Sequence, residues 1–258
     1  MDCSVISAEH PSTDDSRDRS GAQWRLLGKV VGLRLREAAG SAPIEVQRLV
    51  AVDNLGLRDD KHADPLSPRQ LLLAGCDVYR DLGLKAMTLR ENVLVDFPTA
   101  SLASSGLLKL GRDVVIWLTF QCEACGHLEH HHPGIVKAIG NRRGVLARVL
   151  RGGLICEGDE VRHMPSSIAP MSDHWQERVV NVLRRVPADM KVEFRQLAHL
   201  SGVPRSYCRV FPKVLSQLPL SIASRAQAGE ILDAELRWLG TELFEVSEGL
   251  GGAAALSH

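Results

Sequence analysis

The run Val114-Val-Ile-Trp-Leu-Thr-Phe120 constrains this chain more than any other stretch, because a strand made from it is apolar on both faces. Such a strand needs paired neighbours on its edges and a covering layer on each side. Leu107-Leu-Lys-Leu110 precedes it across Gly111-Arg-Asp, which reads as a turn between two strands. Upstream, Val30, Leu33 and Leu35, then Ile44 and Val46, then Leu49-Val-Ala-Val52 form further short runs, with Gly40 and Pro43 as breakers. Downstream, Gly144 to Leu150 and Leu154 to Val161 flank Gly152-Gly153 and predict a hairpin whose two glycines take positive φ. One helix is expected among these strands, from Ser67-Pro68-Arg69 to about Leu82, with serine as N-cap, proline at the first helical position and Gly83 as the stop. Many short strands with few helices predict a β-barrel-like core.

The character changes after Pro165-Ser-Ser-Ile-Ala-Pro170-Met-Ser-Asp, a proline- and serine-rich break of the kind that joins domains. Trp175, Val179, Val182, Leu183 and Val186 then fall on one helical face, and Pro187 stops that helix. An α+β chain follows from this order: a polar flexible tail over 1–23, a β-rich domain over 24–163, a linker over 164–173, and a helical domain over 174–258 ending in an acidic helix. With 258 residues, 45% of them hydrophobic, the chain is long enough to give each part its own core.

Lysine plus arginine equals aspartate plus glutamate, 31 each, so whole-chain charge selects no partner. Local charge does. Between Trp175 and Arg225 nine basic residues face three acidic ones, a net +6, while from Ala226 onward six acidic residues face only Arg237. Six cysteines spread through mostly apolar segments do not form the dense framework of a small secreted domain. Nothing reaches the ~18 apolar residues of a membrane span, and Met1 to Gly21 lacks an apolar leader core. A soluble protein of the reducing cytoplasm, without a membrane partner, is the expectation.

Chemistry concentrates after the buried strand, at Phe120-Gln-Cys122-Glu-Ala-Cys125-Gly-His127. A thiolate is a nucleophile and a soft metal ligand, and guanidinium groups bind phosphate. Cys122 and Cys125 admit several readings: a soft metal or sulfur site, a zinc site with His127, His130, His131 and His132, a dithiol redox pair, or inert buried thiols. Zinc would need ligands from a second loop, and no second Cys-x-x-Cys exists. The redox motif lacks its usual βαβ surroundings.

Taken in order, Gly56-Leu-Arg-Asp-Asp60-Lys-His62-Ala, Ser67-Pro-Arg69-Gln70, Leu89-Arg90-Glu91-Asn92-Val, the Cys122/Cys125 pair, Arg142-Arg143-Gly144 with Arg148, and Glu157-Gly158-Asp159 resemble the MOSC domain. That module ends molybdenum cofactor sulfurases and also occurs as free-standing bacterial proteins. The resemblance covers about Gly28 to Val161 and implies a β-rich fold binding molybdenum cofactor (molybdopterin). It implies Cys125 as molybdenum or sulfur ligand with Cys122 as helper, Arg69, Arg90, Arg142, Arg143 and Arg148 as pterin-phosphate contacts, and Asn92 as a polar orienter. The chemistry implied is sulfur transfer to the cofactor or molybdenum-dependent reduction of an N-hydroxylated compound. Asp59 replaces the family's glycine, and Gly126 and His127 replace bulky or basic residues. No pyridoxal phosphate domain is expected, so extraction of sulfur from cysteine is not.

A second resemblance involves Lys191 to Ala198, Gly202-Val-Pro204 and Arg205-Ser-Tyr-Cys-Arg209-Val210, which look like the winged-helix half of DNA alkyltransferases. Arg209 matches the arginine that holds the space left by a flipped base, Phe194 matches an aromatic residue near that base, and Arg205 opens the same segment. Where the family has its Pro-Cys-His-Arg acceptor, this chain has Arg225-Ala226-Gln227-Ala228. Ala226 cannot accept an alkyl group, so DNA is a candidate partner here only for binding.

Overall fold

The computed structural model describes residues 24–38, 41–124, 126–165 and 168–245. The expected tail over 1–23 lies outside them, and so does Cys125. The β-rich part comprises β1 (Arg25–Leu35), β2 (Ile44–Glu45), β3 (Arg48–Val52), β4 (Gly56–Leu57), β5 (Leu71–Gly75), β6 (Val93–Val95), β7 (Leu107–Leu110), β8 (Val114–Gln121), β9 (Val145–Arg151), β10 (Gly153–Cys156) and β11 (Glu160–Met164). Seven of these close a barrel in the order β11-β7-β8-β9-β5-β6-β1, and β1 returns to β11. The length of β1 allows the closure. Its first half pairs with β11 at Arg25 to Lys29, and its second half with β6 at Val30 to Leu33. β5 and β6 run parallel, a connection that requires a crossover, here through α1 (Cys76–Leu82).

Alternation along the strands sorts side chains between the barrel interior and its outer wall. Val114, Ile116 and Leu118 of β8 point into the core with Leu71, Leu73, Val145 and Ala147. A separate three-stranded sheet, β10-β3-β4, adds Leu49, Ala51, Leu57 and Ile155 to the same core. Outside, Ala74 packs with α1 and with α2 (Gly126–His131) and α3 (Ile135–Ile139) through Val78, Leu128, Ile135 and Ile139.

The helical part comprises α4 (Trp175–Arg185), β12 (Val192–Glu193), α5 (Phe194–Leu200), a 3-10 segment at Arg205–Val210, α6 (Phe211–Leu215), α7 (Leu220–Ala223) and β13 (Ala226–Gln227). Val179, Val182, Leu183 and Val186 pack on Leu107, Val115 and Trp117 of the barrel wall. Burying each of those side chains is worth roughly 1.5–3 kcal/mol. The apolar outer face of β8 is therefore the seat of the helical half, which is why β8 needs no polar face. α+β is the observed class, a closed barrel with helices applied to its outside.

Three sequence expectations change. The helix expected over 67–82 is β5 followed by α1, because Leu71 to Gly75 is buried at every position and pairs on both edges. Ser67 Oγ accepts from Arg69 N at 3.1 Å in a local turn, and only Gly83, at φ 60°, ends the helix as expected. The expected hairpin across Gly152-Gly153 is absent: β9 pairs with β8 and β5, and β10 with β3. Gly153 takes φ +148°, whereas Gly152 is needed for space, since a Cβ there would stand 2.5 Å from the Ala51 carbonyl. The acidic helix is not formed over 226–245, where β13 and a 3-10 turn at Thr241–Phe244 stand instead. No helix among the described residues is long and apolar enough to cross a membrane.

Candidate functional site

A bulge decides where the first thiol points. The β8–β9 register shifts between Leu118 and Phe120, leaving Thr119 as the extra residue, and its hydroxyl donates to the Pro68 carbonyl at 2.8 Å. One inserted residue reverses the alternation beyond it. Phe120 and Cys122 consequently join Leu72 and Leu146 on the outer wall instead of entering the core. The backbone N–H of Cys122 donates to the Gly144 carbonyl at 2.8 Å, so the thiol is fixed to the start of β9.

Cations surround this buried thiol. Arg69 Nη2 lies 3.8 Å from Cys122 Sγ, while its Nη1 donates to the Gly202 carbonyl at 3.0 Å. Arg143 is 9% exposed, donates through Nη1 to the Glu123 carbonyl at 2.5 Å, and leaves Nε without a hydrogen-bond partner. Arg178 of α4 is 2% exposed, with its guanidinium 3.8 Å from the centre of the Phe120 ring. Burial lowers the pKa of Arg36, and the charge of Asp60 and the nearby Cys122 oppose that shift. Guanidinium groups gathered around one point attract anions.

Beside it lies a polar knot. Asp60 Oδ2 accepts from Asn92 Nδ2 at 2.7 Å and from the backbone and Nε of Arg36, and Asp60 Oδ1 accepts from the backbone of His62 at 2.9 Å. His62 Nδ1 stands 3.0 Å from the same Oδ1. Burial pulls the Asp60 carboxyl upward, but the hydrogen bonds from His62 and the charge of Arg36 outweigh it and hold the pKa at about 2. Burial lowers the His62 pKa against the pull of Asp60. Asn92 Oδ1 accepts from Leu72 N at 3.1 Å and from Arg36, and its amide also donates to the Arg34 carbonyl at 3.2 Å. Asn92 thus orients Arg36 and the edge of β5.

The predicted residues divide accordingly. Cys122, Arg69 and Arg143 come together, and Asn92 joins them through Arg36. Arg90 donates to the Ser41 carbonyl at 2.5 Å, and Arg142 pairs with Asp81 at 3.2 Å. Arg148, 1% exposed, is occupied by the Ser67 and Pro65 carbonyls at 2.5 and 2.9 Å and lies 4.0 Å from the Phe244 ring centre. Burial lowers its pKa to about 10. Cys125 lies outside the described residues, and among the described residues no three His, Cys, Asp or Glu side chains form a metal-binding group.

The helical half holds a cleft of about 770 Å³ lined by Phe194, Arg195, Cys208, Arg209, Pro212 and Gly229 among others. The Phe194 ring meets Phe211 edge-on at 5.5 Å. Arg205 and Arg209 are exposed, on the 3-10 segment, and their side chains make no hydrogen bond or ion pair to the described residues. Burial raises the Cys208 thiol pKa, and Sγ donates to the Phe194 carbonyl at 3.4 Å. Ala226 and Gln227 pair with Val192 and Glu193 as a short parallel ladder.

Sequence reasoning missed Arg36 and Arg178. Arg178 carried a usable signal: it lies three residues after Trp175 and four before Val182, within the apolar stripe of α4, where a cation is costly to bury unless it is paired. Arg36 carried none, since its partners Asp60 and Asn92 are distant in sequence.

No protein-family model matches the chain, and no curated protein matches it. Among solved structures, the YUAD protein from Bacillus subtilis is 18% identical with a TM-score of 0.48, over 55% of this chain and 100% of that one. YiiM from Escherichia coli is 17% identical with a TM-score of 0.43, over 78% of this chain and 99% of that one. YiiM from Geobacillus stearothermophilus is 15% identical with a TM-score of 0.42, over 74% and 98%. Nothing about the chemistry of this chain follows from likenesses of that degree.

Proposed function

We propose that the chain is a MOSC-type protein that holds molybdenum cofactor on the outer wall of its barrel, for sulfur transfer or for reduction of N-hydroxylated compounds. The observation that carries this reading is the bulge at Thr119, which turns Cys122 out to meet Arg69 beside Arg143. The residues present fit the cofactor. Arg143 Nε is a buried donor without a partner, the thiol is soft, and the surrounding guanidinium groups suit a phosphate. Arg69 and Arg143 would hold the phosphate end, with Cys125 as metal or sulfur ligand and Cys122 beside it. When bound, the cofactor supplies a soft metal centre with an open position. The chain supplies anchoring, a cationic surround and, through Asn92 and Asp60, a fixed Arg36.

Protein made in a host able to synthesise the cofactor is expected to carry molybdenum and pterin fluorescence, or sulfane sulfur. Cys125→Ala should abolish this content and Cys122→Ala should weaken it. Unchanged molybdenum and sulfane sulfur in the Cys125 variant would sink the reading. Stoichiometric zinc that disappears on mutating both cysteines would replace it with a structural metal site.

One observation favours a second reading, nucleic-acid binding by the helical half: the cleft between Phe194 and Arg209, beside exposed cations without ion-pair partners. Each phosphate neutralised should lower log affinity against log salt by about 0.9, and Arg209→Ala should cost roughly 1–3 kcal/mol if its guanidinium enters the duplex. Binding to normal or N-hydroxylated duplexes that shows no salt dependence would remove this reading.

A further inference from the structure

The strand end that carries Cys122 is gripped from both halves of the chain. Arg69, from the loop before β5, reaches the thiol with one arm and the Gly202 carbonyl beyond α5 with the other. Arg178, from α4, donates through Nε to the Ser201 carbonyl at 3.0 Å and through Nη1 to the Ser172 and Asp173 carbonyls at 2.9 Å each. Its remaining arm, Nη2, lies 3.6 Å from Glu123 Oε1. Both guanidinium groups stand over Phe120, at 3.8 Å for Arg178 and 5.9 Å for Arg69. Asp173 closes the contact from the connecting segment, accepting from Gln121 N at 2.7 Å.

Burying a guanidinium costs several kcal/mol, and an apolar residue in the stripe of α4 would pack on Val115 and Trp117 without that cost. What Arg178 adds is a hold on Glu123, the residue that follows the thiol. Arg143 holds the carbonyl of that same residue from the barrel side. Glu123 is thereby fixed twice, once by each half of the chain.

We infer that Arg178 is a positioning residue of the thiol site, and that the helical half is the second wall of that site. By binding the Glu123 carboxylate, Arg178 keeps the local negative charge away from Cys122 and leaves Arg69 and Arg36 to set the sign of the site. The ligand class is accordingly anionic. This inference rests on reading Cys122 as part of a ligand site, but its test reads the thiol itself and needs no bound cofactor.

Native protein is treated with an excess of neutral iodoacetamide or anionic iodoacetate for long enough to modify the buried Cys122 while the fold stays intact, and modification is followed by peptide mass spectrometry; a Cys122 that neither reagent reaches overturns the inference that it faces a ligand site. The iodoacetate-to-iodoacetamide rate ratio is normalised to that of the urea-unfolded chain. The wild type should exceed the unfolded ratio. Arg178→Met removes a cation and frees a carboxylate, and should lower the ratio by about fivefold or more. Arg178→Lys should stay within about twofold of the wild type, and adding Glu123→Gln to Arg178→Met should restore most of the loss, since both act through the same charge. A merely structural Arg178 would lower the melting temperature and leave the ratio alone. If Arg178→Met does not fold, Glu123→Gln alone should raise the ratio. A wild-type ratio equal to the unfolded one, or no response to any of these changes, overturns the inference. Loss of the molybdenum reading would leave the ratios as they are, so the two failures are distinguishable.

Discussion

At the scale of single residues, Asp60 shows how a short polar segment becomes a fixed part of the barrel wall. Its carboxylate takes hydrogen bonds from the backbone and side chain of Arg36 and from the Asn92 amide, both brought in by other segments of the chain, and from the backbone of His62 two residues on. The acid sensitivity that follows has a definite sign. His62 and His163 both have pKa values lowered by burial, so the unfolded chain binds more protons than the folded one below about pH 6.5. Stability they contribute is present above that value and is lost as pH falls through their folded pKa values. Asp60 adds a second loss at lower pH, between the ordinary carboxylate pKa of about 3.9 and its own of about 2. The urea midpoint should therefore be lower near pH 5 than near pH 7.5, and His62→Gln should shrink the difference; an unchanged midpoint across that range would contradict the burial of these imidazoles. Of the residues around the thiol, Cys122, Arg69 and Arg143 were legible because the motif names them. Arg36 and Arg178 were not, because their positions follow from tertiary pairing and not from spacing.

Elements were legible where period and turn chemistry agreed, and illegible where a strand was buried on both faces. β7 and β8 announced themselves through Gly111, at φ 60°, between two apolar runs. Leu71-Leu-Leu did not, because a run apolar at every position carries neither period, and the preceding Ser-Pro imitated a helix start. The bulge at Thr119 left no sequence signal at all, though it decides the direction of Cys122. The junction between α5 and β8 offers a clean test of how tightly the halves fit. Gly202 has φ +64°, and a Cβ there would stand 2.7 Å from Phe120 Cζ and 2.8 Å from Pro68 Cγ. Gly83 has nearly the same dihedral, φ +60°, with nothing within 4 Å of the added carbon. Gly83→Ala should cost about 1 kcal/mol from the left-handed backbone alone, and Gly202→Ala about 2–4 kcal/mol, since the clash adds to it. Equal losses in urea unfolding would mean that the two halves yield easily at this seam.

Seen whole, the molecule has two halves that differ in architecture and share one apolar cluster. Trp24, Leu107, Val115 and Trp117 from the barrel meet Val179, Val182, Leu183, Leu197 and Phe211 from the helices, and Phe244 returns to lie against Arg148. The change of character at the proline- and serine-rich segment was readable from composition, whereas the mutual burial was not, since an outward apolar residue on a strand looks the same whether a helix or another sheet covers it. A protease of broad specificity should cut first within 165–173, where Pro165, Ala169 and Pro170 are exposed and the described residues belong to no strand or helix. The two fragments should nevertheless elute together from a sizing column, because separating them uncovers Trp117 and Val182 and breaks the Arg178, Arg69 and His199–Asp64 contacts. Several buried side chains at roughly 1.5–3 kcal/mol each are enough to hold the nicked halves together. Fragments that part as folded pieces would show that each half has a sufficient core of its own, and first cleavage inside Val114 to Phe120 would displace the boundary altogether. If the halves stay joined, nicked protein should also keep the reagent preference of Cys122, since Arg178 and Glu123 then remain in contact across the cut.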